Sequence, residues 1–309
     1  MILPTLVAHA DWSVRPGKRW LALATRQADG RYHMGAAQPV GPLDTLWSRL
    51  EQEAGGGPVL LGFDFPIGLP AAHAARAGIT DFTAALVGFD EHFYAAAERA
   101  DEIGLERPFY PMRPGGRRRQ QLLDGLKLDV WSDLLRRCDH ASVTRNAACA
   151  LFWTLGGSQV GKAAITGWRD LLAPAVRAGV DLALWPFQGS FDELLARHRF
   201  VVAETYPGEV YGHLGLLLCR GGGKRSQRAR RGAAERLLTK LRQLEVEADA
   251  AAKAETLDGF GAGADGEDRF DAMVGLVGML QVVRGERASG EPDCPVIRRV
   301  EGWILGQAP

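Results

Sequence analysis

Three acidic residues of this chain stand where strands of a sheet would end. Asp11, Asp64 and Glu204 each follow or close a short apolar run. In open α/β sheets, the carboxyl ends of the inner strands face the crevice that binds ligands. A single acid at such a position often only opens a turn, but three acids in the same pattern indicate a functional site.

A second acidic group begins the last strong helical segment, residues 267–284. Asp268 and Asp271 are three residues apart and therefore share one face of the helix. The remainder of this segment is apolar on nearly every side, which is typical of a buried helix. Capping of the helix N-terminus explains Asp268. It explains Asp271 less well, because a buried carboxylate one turn inside the helix is costly unless it is protonated, paired or bound to a metal.

The chemistry of these side chains predicts a divalent metal site. Carboxylate oxygens without cysteine or histidine favour Mg²⁺ or Mn²⁺ over zinc, and the four cysteines form no C-x-x-C pair. Acids from two strands and a helix can hold two such ions about 4 Å apart and support phosphodiester hydrolysis. The predicted metal ligands are Asp11, Asp64 and Asp271. The predicted catalytic set is Asp11, Asp64, Asp268, Asp271 and Glu204.

Two basic loops and one glycine-containing segment are candidates for binding phosphate. Residues 221–231 read Gly-Gly-Gly-Lys-Arg-Ser-Gln-Arg-Ala-Arg-Arg, residues 114–119 read Pro-Gly-Gly-Arg-Arg-Arg, and residues 153–162 contain three glycines. Backbone amides of such loops and helix N-termini bind phosphate, although a solvated arginine-rich surface is the alternative interpretation. The phosphate-binding candidates are Lys224, Arg225, Arg117, Arg118 and Lys162. Neither a Walker A loop nor a G-x-S-x-G motif occurs.

The elements that must position these residues form a mixed sheet. Residues 2–10, 19–26 and 31–37 have strand patterns, and Asp-Gly at 29–30 predicts a turn. We expect an antiparallel meander of these three strands. Residues 58–65 and 199–206 are continuous apolar runs, which indicates strands buried on both faces and parallel to the first strand. The expected fold class is therefore α/β, with a mixed five-stranded sheet flanked by helices.

The stretch 67–198 between the last two strands differs from the rest of the chain. It contains several helical patterns separated by loops rich in glycine, proline and arginine. We interpret it as a large, mainly helical insertion that overhangs the acidic crevice. The expected division is thus a core of residues 1–66 and 199–309 with a helical insertion or cap of residues 67–198.

Composition sets limits on the class of protein. The 309 residues carry 37 basic and 37 acidic side chains, so the formal net charge is zero and binding of an anion must depend on local patches. No apolar stretch is long enough for a transmembrane helix, and the N-terminus lacks the basic region of a signal peptide. A cytoplasmic location without a membrane partner is expected.

The order of these motifs resembles the ribonuclease-H-like superfamily, most closely its Holliday-junction-resolvase branch. The segments Gly-Phe-Asp-Phe-Pro-Ile-Gly-Leu-Pro around Asp64, Glu-Thr-Tyr-Pro at Glu204 and Asp-Arg-Phe-Asp-Ala at Asp268 are also similar to the family called domain of unknown function 429, described as predicted nucleases. The resemblance covers residues 1–66 and 199–285. It implies a ribonuclease-H-like fold and a metal-dependent nuclease. Position 64 is Asp, where the resolvases usually carry Glu.

Three functions compete on the sequence alone. The first is a Mg²⁺- or Mn²⁺-dependent nuclease or phosphodiesterase that acts on structured nucleic acid. The second is a non-catalytic protein with the same fold that binds a nucleotide or a protein. The third, a phosphotransferase of the actin and sugar-kinase kind, requires two copies of the core and a glycine-rich hairpin after the first strand. The residues after Asp11 are Trp-Ser-Val-Arg and lack that glycine.

Overall fold

The computed structural model describes residues 2–141, 146–155, 160–216, 218 and 223–309. The strands are β1 (Leu6–Asp11), β2 (Trp20–Arg26), β3 (Tyr32–Met34), β4 (Gln38–Pro39), β5 (Val59–Phe63), β6 (Leu182–Leu184), β7 (Phe200–Glu204) and β8 (Val246–Ala248). The α-helices are α1 (Leu46–Glu53), α2 (Ala71–Ala77), α3 (Phe82–Gly88), α4 (Glu91–Tyr94), α5 (Arg119–Leu126), α6 (Val160–Gly167), α7 (Ala173–Arg177), α8 (Phe191–Arg197), α9 (Pro207–His213), α10 (Gln227–Gln243), α11 (Ala250–Asp258) and α12 (Gly266–Val283). A π-helical turn, Trp168–Leu172, lies between α6 and α7.

One mixed sheet contains all eight strands of the described residues, in the order β6-β7-β5-β1-β2-β3-β8, with β4 paired to β2. β1, β2 and β3 are antiparallel neighbours, and β5 and β7 continue the sheet parallel to β1. The α/β class, the meander and the parallel placement of the two later strands are therefore confirmed. The expected count of five strands is wrong, because β4, β6 and β8 also join the sheet. These three have two or three residues each, which is too short to produce an alternating pattern.

Hydrophobic side chains cover both faces of the sheet. Successive residues of a strand point to opposite faces, so Leu6 and Ala8 join one cluster while Val7 joins the other. The first cluster includes side chains from the stretch 67–198, such as Trp168. That stretch supplies α2–α8 and also β6 at the edge of the sheet. Helices α2–α7 bury side chains in this first cluster, whereas α8 contributes to the second.

Helix α12 packs directly on the opposite face, against β1, β2 and β5. Two glycines allow this close approach. A Cβ atom on Gly275 of the helix would lie 2.1 Å from the His9 ring of β1, and one on Gly62 of β5 would lie 2.4 Å from the sulfur of Met279. Because side chains of the facing element contact the backbone at these two glycines, the position of α12 relative to the strand ends is fixed by close packing.

The buried His9 side chain connects three elements beneath the strand ends. Its Nδ1 lies 3.0 Å from the Ala272 carbonyl oxygen of α12, and its Nε2 lies 2.7 Å from the Thr205 hydroxyl after β7. Burial lowers the pKa of His9 to about 3, partly offset by the bond to Ala272. The ring is neutral at physiological pH, and it ties β1, β7 and α12 together. No helix of the described residues is long and apolar enough to cross a membrane.

Candidate metal centre

Asp11 and Asp64 are neighbours at the carboxyl edge of the sheet. Ala10 of β1 pairs in parallel register with Phe63 of β5, so the next residue of each strand, Asp11 and Asp64, projects from the same face. That face is the one covered by α12. The Trp12 backbone N–H donates a 2.7 Å hydrogen bond to Asp64 Oδ1, which holds this carboxylate beside the end of β1.

Helix α12 brings the second acidic pair to the same place. Asp271 is buried, with 5% of its surface exposed, and Asp268 lies one turn earlier with a partly buried side chain. Both line one cleft with Asp11 and Asp64. The structure thus brings together the four aspartates that the sequence singled out, from two strands and one helix.

Burial raises the pKa of every aspartate in this group, and neighbouring carboxylates add to the shift. The pKa of Asp11 lies well above its usual value because of burial first, then the charges of Asp64, Asp271 and Asp268. Burial raises the pKa of Asp64 to about 7, although the Trp12 N–H opposes the shift. Neighbouring like charges disfavour each other's ionised form unless a cation compensates them. Burial and the neighbouring carboxylates therefore favour the protonated forms of Asp11 and Asp64, although the charge of Lys224 opposes this.

Two lysines compensate the acids of α12. Lys224 Nζ donates to Asp271 and lies 3.2 Å from a Glu267 carboxylate oxygen, while the Tyr211 hydroxyl also donates to Asp271. These contacts raise the pKa of Lys224 despite its partial burial. Lys18 Nζ lies 3.6 Å from Asp268 Oδ2, which is too far for a hydrogen bond. Asp271 therefore has close partners, whereas Asp11 and Asp64 have no lysine or arginine within 4.0 Å among the described residues.

The cleft has a volume of about 730 Å³, which is in the size range of ligand sites. Its charged lining residues are Asp11, Asp64, Glu267, Asp268, Asp271, Arg15, Lys18 and Lys224. Five acids thus face three bases, a formal charge of −2. The Asp268 Oδ2 atom is buried and has no hydrogen-bond partner. An excess of carboxylates, one of them with a buried oxygen that accepts no hydrogen bond, fits the oxygen donor set that Mg²⁺ or Mn²⁺ requires.

Glu204 does not belong to this cluster, so the expectation that it lies beside the aspartates is wrong. In the sheet, Phe63 pairs with Glu204, and both side chains point away from α12. Both oxygens of the Glu204 carboxylate accept 2.6 Å hydrogen bonds from the fully buried Arg136 guanidinium, which also binds Asp139. Side chains alternate along a strand, and the position equivalent to Asp64 on this strand is Thr205.

The Arg136 network contains another group of possible metal ligands, Cys138, Asp139 and Glu204, whose donor atoms lie within 4.8 Å of one another. The guanidinium of Arg136 already forms an ion pair with each carboxylate. Burial raises the pKa of the Cys138 thiol well above its usual value, so the thiolate that a metal requires is disfavoured. We therefore interpret this group as a buried ion-pair network and not as a metal site.

The phosphate-binding candidates occupy different places. Lys224 lines the cleft, and Arg225 beside it is exposed, with its Nε 3.8 Å from Glu267. Arg117, Arg118 and Lys162 are not among the residues that line the cleft. The insertion reaches the cleft through Val160 and Ala163 of α6 instead. Residues 156–159 and 221–222, which belong to the predicted glycine-rich segments, lie outside the described residues.

Sequence reasoning missed several residues of the cleft. Lys18, Arg15 and Tyr211 approach the aspartates from the β1–β2 loop and from α9. A signal existed for the first two, since the loop follows Asp11 directly and any residue in it must lie near the strand end. Tyr211 gave no signal, because its contact with Asp271 spans 60 residues of sequence.

Comparisons of the chain with protein-family models, with curated proteins and with solved structures find no match. The resemblance to ribonuclease-H-like proteins stays a prediction from short motifs.

Proposed function

We propose that this protein is a Mg²⁺- or Mn²⁺-dependent nuclease or phosphodiesterase whose active site is the aspartate cleft. One observation carries the proposal. Asp11, Asp64 and Asp271 converge from β1, β5 and α12, and the first two have no basic partner within 4.0 Å among the described residues. A protein gains nothing in stability from such a group, so its presence in an open cleft points to a ligand that carries positive charge.

The topology supports this proposal. The strand order β3-β2-β1-β5-β7, with an antiparallel meander followed by parallel strands, agrees with the ribonuclease-H-like fold that the motifs imply. The acids also stand at the positions implied by the resemblance to Holliday-junction resolvases: the first strand, the later parallel strand and the last helix. Structured nucleic acid is accordingly the proposed substrate.

The residues of the cleft take different roles in this proposal. Asp11, Asp64 and Asp271 hold the metal, with Asp268 alongside. When bound, the metal lowers the pKa of a water and stabilises the leaving oxygen of the phosphodiester. Asp11 and Asp64 must release their retained proton before they bind a cation, so metal affinity increases as the pH rises through about 7. Lys224 has to loosen from Asp271 and then becomes available to a substrate phosphate.

Cleavage of labelled branched, duplex and single-stranded DNA and RNA tests the proposal. We expect cleavage with Mg²⁺ or Mn²⁺ and none with EDTA. The variant Asp64→Asn should lose about 100-fold or more in rate, because it removes a metal ligand. The control Asp44→Asn changes an exposed acid outside the cleft and should leave the rate unchanged. Metal-independent cleavage, or full activity in Asp64→Asn, would contradict the proposal.

A second candidate function is supported by the Lys224–Asp271 contact. The lysine gives part of the acidic cluster an internal cation, as in a non-catalytic protein that binds a nucleotide or another protein without metal. Titration of Lys224→Ala with Mn²⁺ separates the two functions. A metalloenzyme should bind Mn²⁺ more tightly in this variant, since a competing cation is removed. A metal-free binding protein should lose stability without gaining any Mn²⁺ response.

A further inference from the structure

We propose that Arg15 binds a phosphodiester anion at the rim of the aspartate cleft. The inference rests on the proposed function for the identity of the substrate, but its evidence is separate. It assigns a binding residue on the β1–β2 loop that the acidic motifs do not include.

Arg15 differs from the other cations of the cleft in having no carboxylate partner. Lys224 contacts Asp271, and Lys18 lies 3.6 Å from Asp268. No carboxylate lies within 4.0 Å of the Arg15 guanidinium among the described residues, although the side chain lines the acidic cleft and is exposed. A planar guanidinium presents a fork of donors that matches a phosphate. Arg15 is thus the cation that a substrate anion can reach without breaking an ion pair.

A buried arginine holds the loop that carries Arg15. The Arg19 guanidinium lies 4.1 Å from the Trp12 ring centroid and donates to the Ser13 carbonyl oxygen at 2.6 Å. Only 4% of Arg19 is exposed. Trp12 is in turn attached to the site, because its backbone N–H binds Asp64 and its Nε1–H donates to Thr166 at 3.0 Å. The loop is therefore pre-organised against the acids, which lowers the entropic cost of binding a ligand.

The surroundings of Arg15 indicate more than a bare phosphate. The adjacent Val14 is 45% exposed, and Tyr206 and Val160 also line the cleft. Apolar surface beside a phosphate-binding cation suits an anion that carries flat or apolar groups. The ligand chemistry that fits is a phosphodiester flanked by nucleosides.

Binding of a short fluorescein-labelled single-stranded DNA, measured by anisotropy over a series of salt concentrations, tests the proposal. The measurement is made with EDTA and again with Ca²⁺, for the wild type and for Arg15→Ala, Arg15→Lys and Arg197→Ala. Arg197 is an exposed arginine of α8 outside the cleft and serves as the charge-matched control. We expect Arg15→Ala to weaken binding about tenfold and to lower the slope of log K against log salt by about 0.7, as for one lost phosphate contact. Arg15→Lys should keep the slope, and Arg197→Ala should match the wild type.

An unchanged slope in Arg15→Ala, or an equal loss in Arg197→Ala, overturns the proposal. Inorganic phosphate and bis(p-nitrophenyl) phosphate are then compared as competitors of the labelled DNA. If both displace it at the same concentration, the assignment to a phosphodiester is overturned. The outcome is separable from that of the proposed function. If the protein cleaves no nucleic acid but the salt slope of DNA binding depends on Arg15, the nuclease proposal is refuted and the binding role of Arg15 stands. If the protein cleaves nucleic acid and Arg15→Ala leaves the KM unchanged, only the binding role of Arg15 is refuted.

Discussion

Asp11 and Asp64 lie side by side at the sheet edge, and burial raises the pKa of both carboxyl groups. For Asp64 the pKa changes from 3.8 to about 7. Between these values, the folded protein holds a proton that the unfolded chain releases. The free energy of unfolding therefore falls as the pH rises from about 4 to about 7.

The variant Asp64→Asn should lose much of this pH dependence in the absence of metal. The amide has no carboxyl proton to release, so the variant gains stability relative to the wild type as the pH rises. The difference should reach a few kcal/mol at pH 7, since each unit of pKa shift corresponds to about 1.4 kcal/mol. Urea denaturation of both proteins from pH 4 to pH 7.5 in EDTA measures it. Parallel stability curves for the two proteins would show that Asp64 has an ordinary pKa.

Residue types and spacing were sufficient to find the four aspartates but not to exclude Glu204. The three acids after strands looked equivalent, because the sequence does not state where each strand ends relative to its neighbours. A one-residue difference in register reverses the face on which a side chain lies. Glu204 is in register with Phe63, one residue before Asp64. Its partner Arg136 is 68 residues away in sequence and belongs to none of the motifs that the sequence offers.

Helix α12 sets the distance between Asp271 and the strand-end aspartates. Its contact with β1 depends on Gly275, which faces the His9 ring, and on the bond from His9 to Ala272. Ala272 directly follows Asp271 in the chain. Any displacement of this part of the helix therefore moves a proposed metal ligand.

Gly275→Ala should disturb both stability and metal binding. The added methyl group would lie 2.1–2.4 Å from three atoms of the His9 ring, so the helix must shift outward. We expect a loss of about 1–3 kcal/mol in the free energy of unfolding and a weaker Mn²⁺ response. Gly232→Ala in α10 is the matched control, because nothing lies within 4 Å of its new Cβ. Chemical denaturation should show a gain of about 0.5–1 kcal/mol for the control, and equal effects of both substitutions would contradict the packing argument.

Long elements with a clear pattern were predictable, and short ones were not. The apolar runs that became β5 and β7 predicted their buried positions, because a continuous apolar sequence is typical of a strand covered on both faces. β6 has three residues and lies inside the stretch interpreted as helical. Its membership of the sheet depends on pairing with β7, a tertiary contact that local propensity does not encode.

On the scale of the whole molecule, the sheet is the common centre of two helical layers. Helices α2–α7 of the stretch 67–198 and helix α12 bury apolar side chains on opposite faces of the same strands, whereas α8 lies on the same face as α12. The cleft opens where the carboxyl ends of β1 and β5 meet α12 and α6. The net charge is zero, so attraction of an anionic substrate depends on local cations such as Arg15.

The shared sheet implies that the stretch 67–198 does not unfold on its own. Differential scanning calorimetry should show one cooperative transition, with equal calorimetric and van 't Hoff enthalpies. Limited proteolysis at neutral pH should likewise release no stable fragment that corresponds to residues 67–198. Two separated transitions would indicate that this stretch is an independent domain.

The proposed function requires that the aspartate cleft binds a divalent cation. Calorimetry of the wild type with and without Mn²⁺ tests it most directly, together with Asp11→Asn and the control Asp44→Asn. We expect Mn²⁺ to raise the Tm of the wild type and of the control. At a concentration 100 times the Kd, the free energy of unfolding should increase by about 2.7 kcal/mol. Asp11→Asn should be more stable than the wild type in EDTA, because one repelling charge is removed, and should respond less to Mn²⁺. An equal Mn²⁺ response in the wild type and Asp11→Asn, or no response in either, would contradict the proposed metal centre.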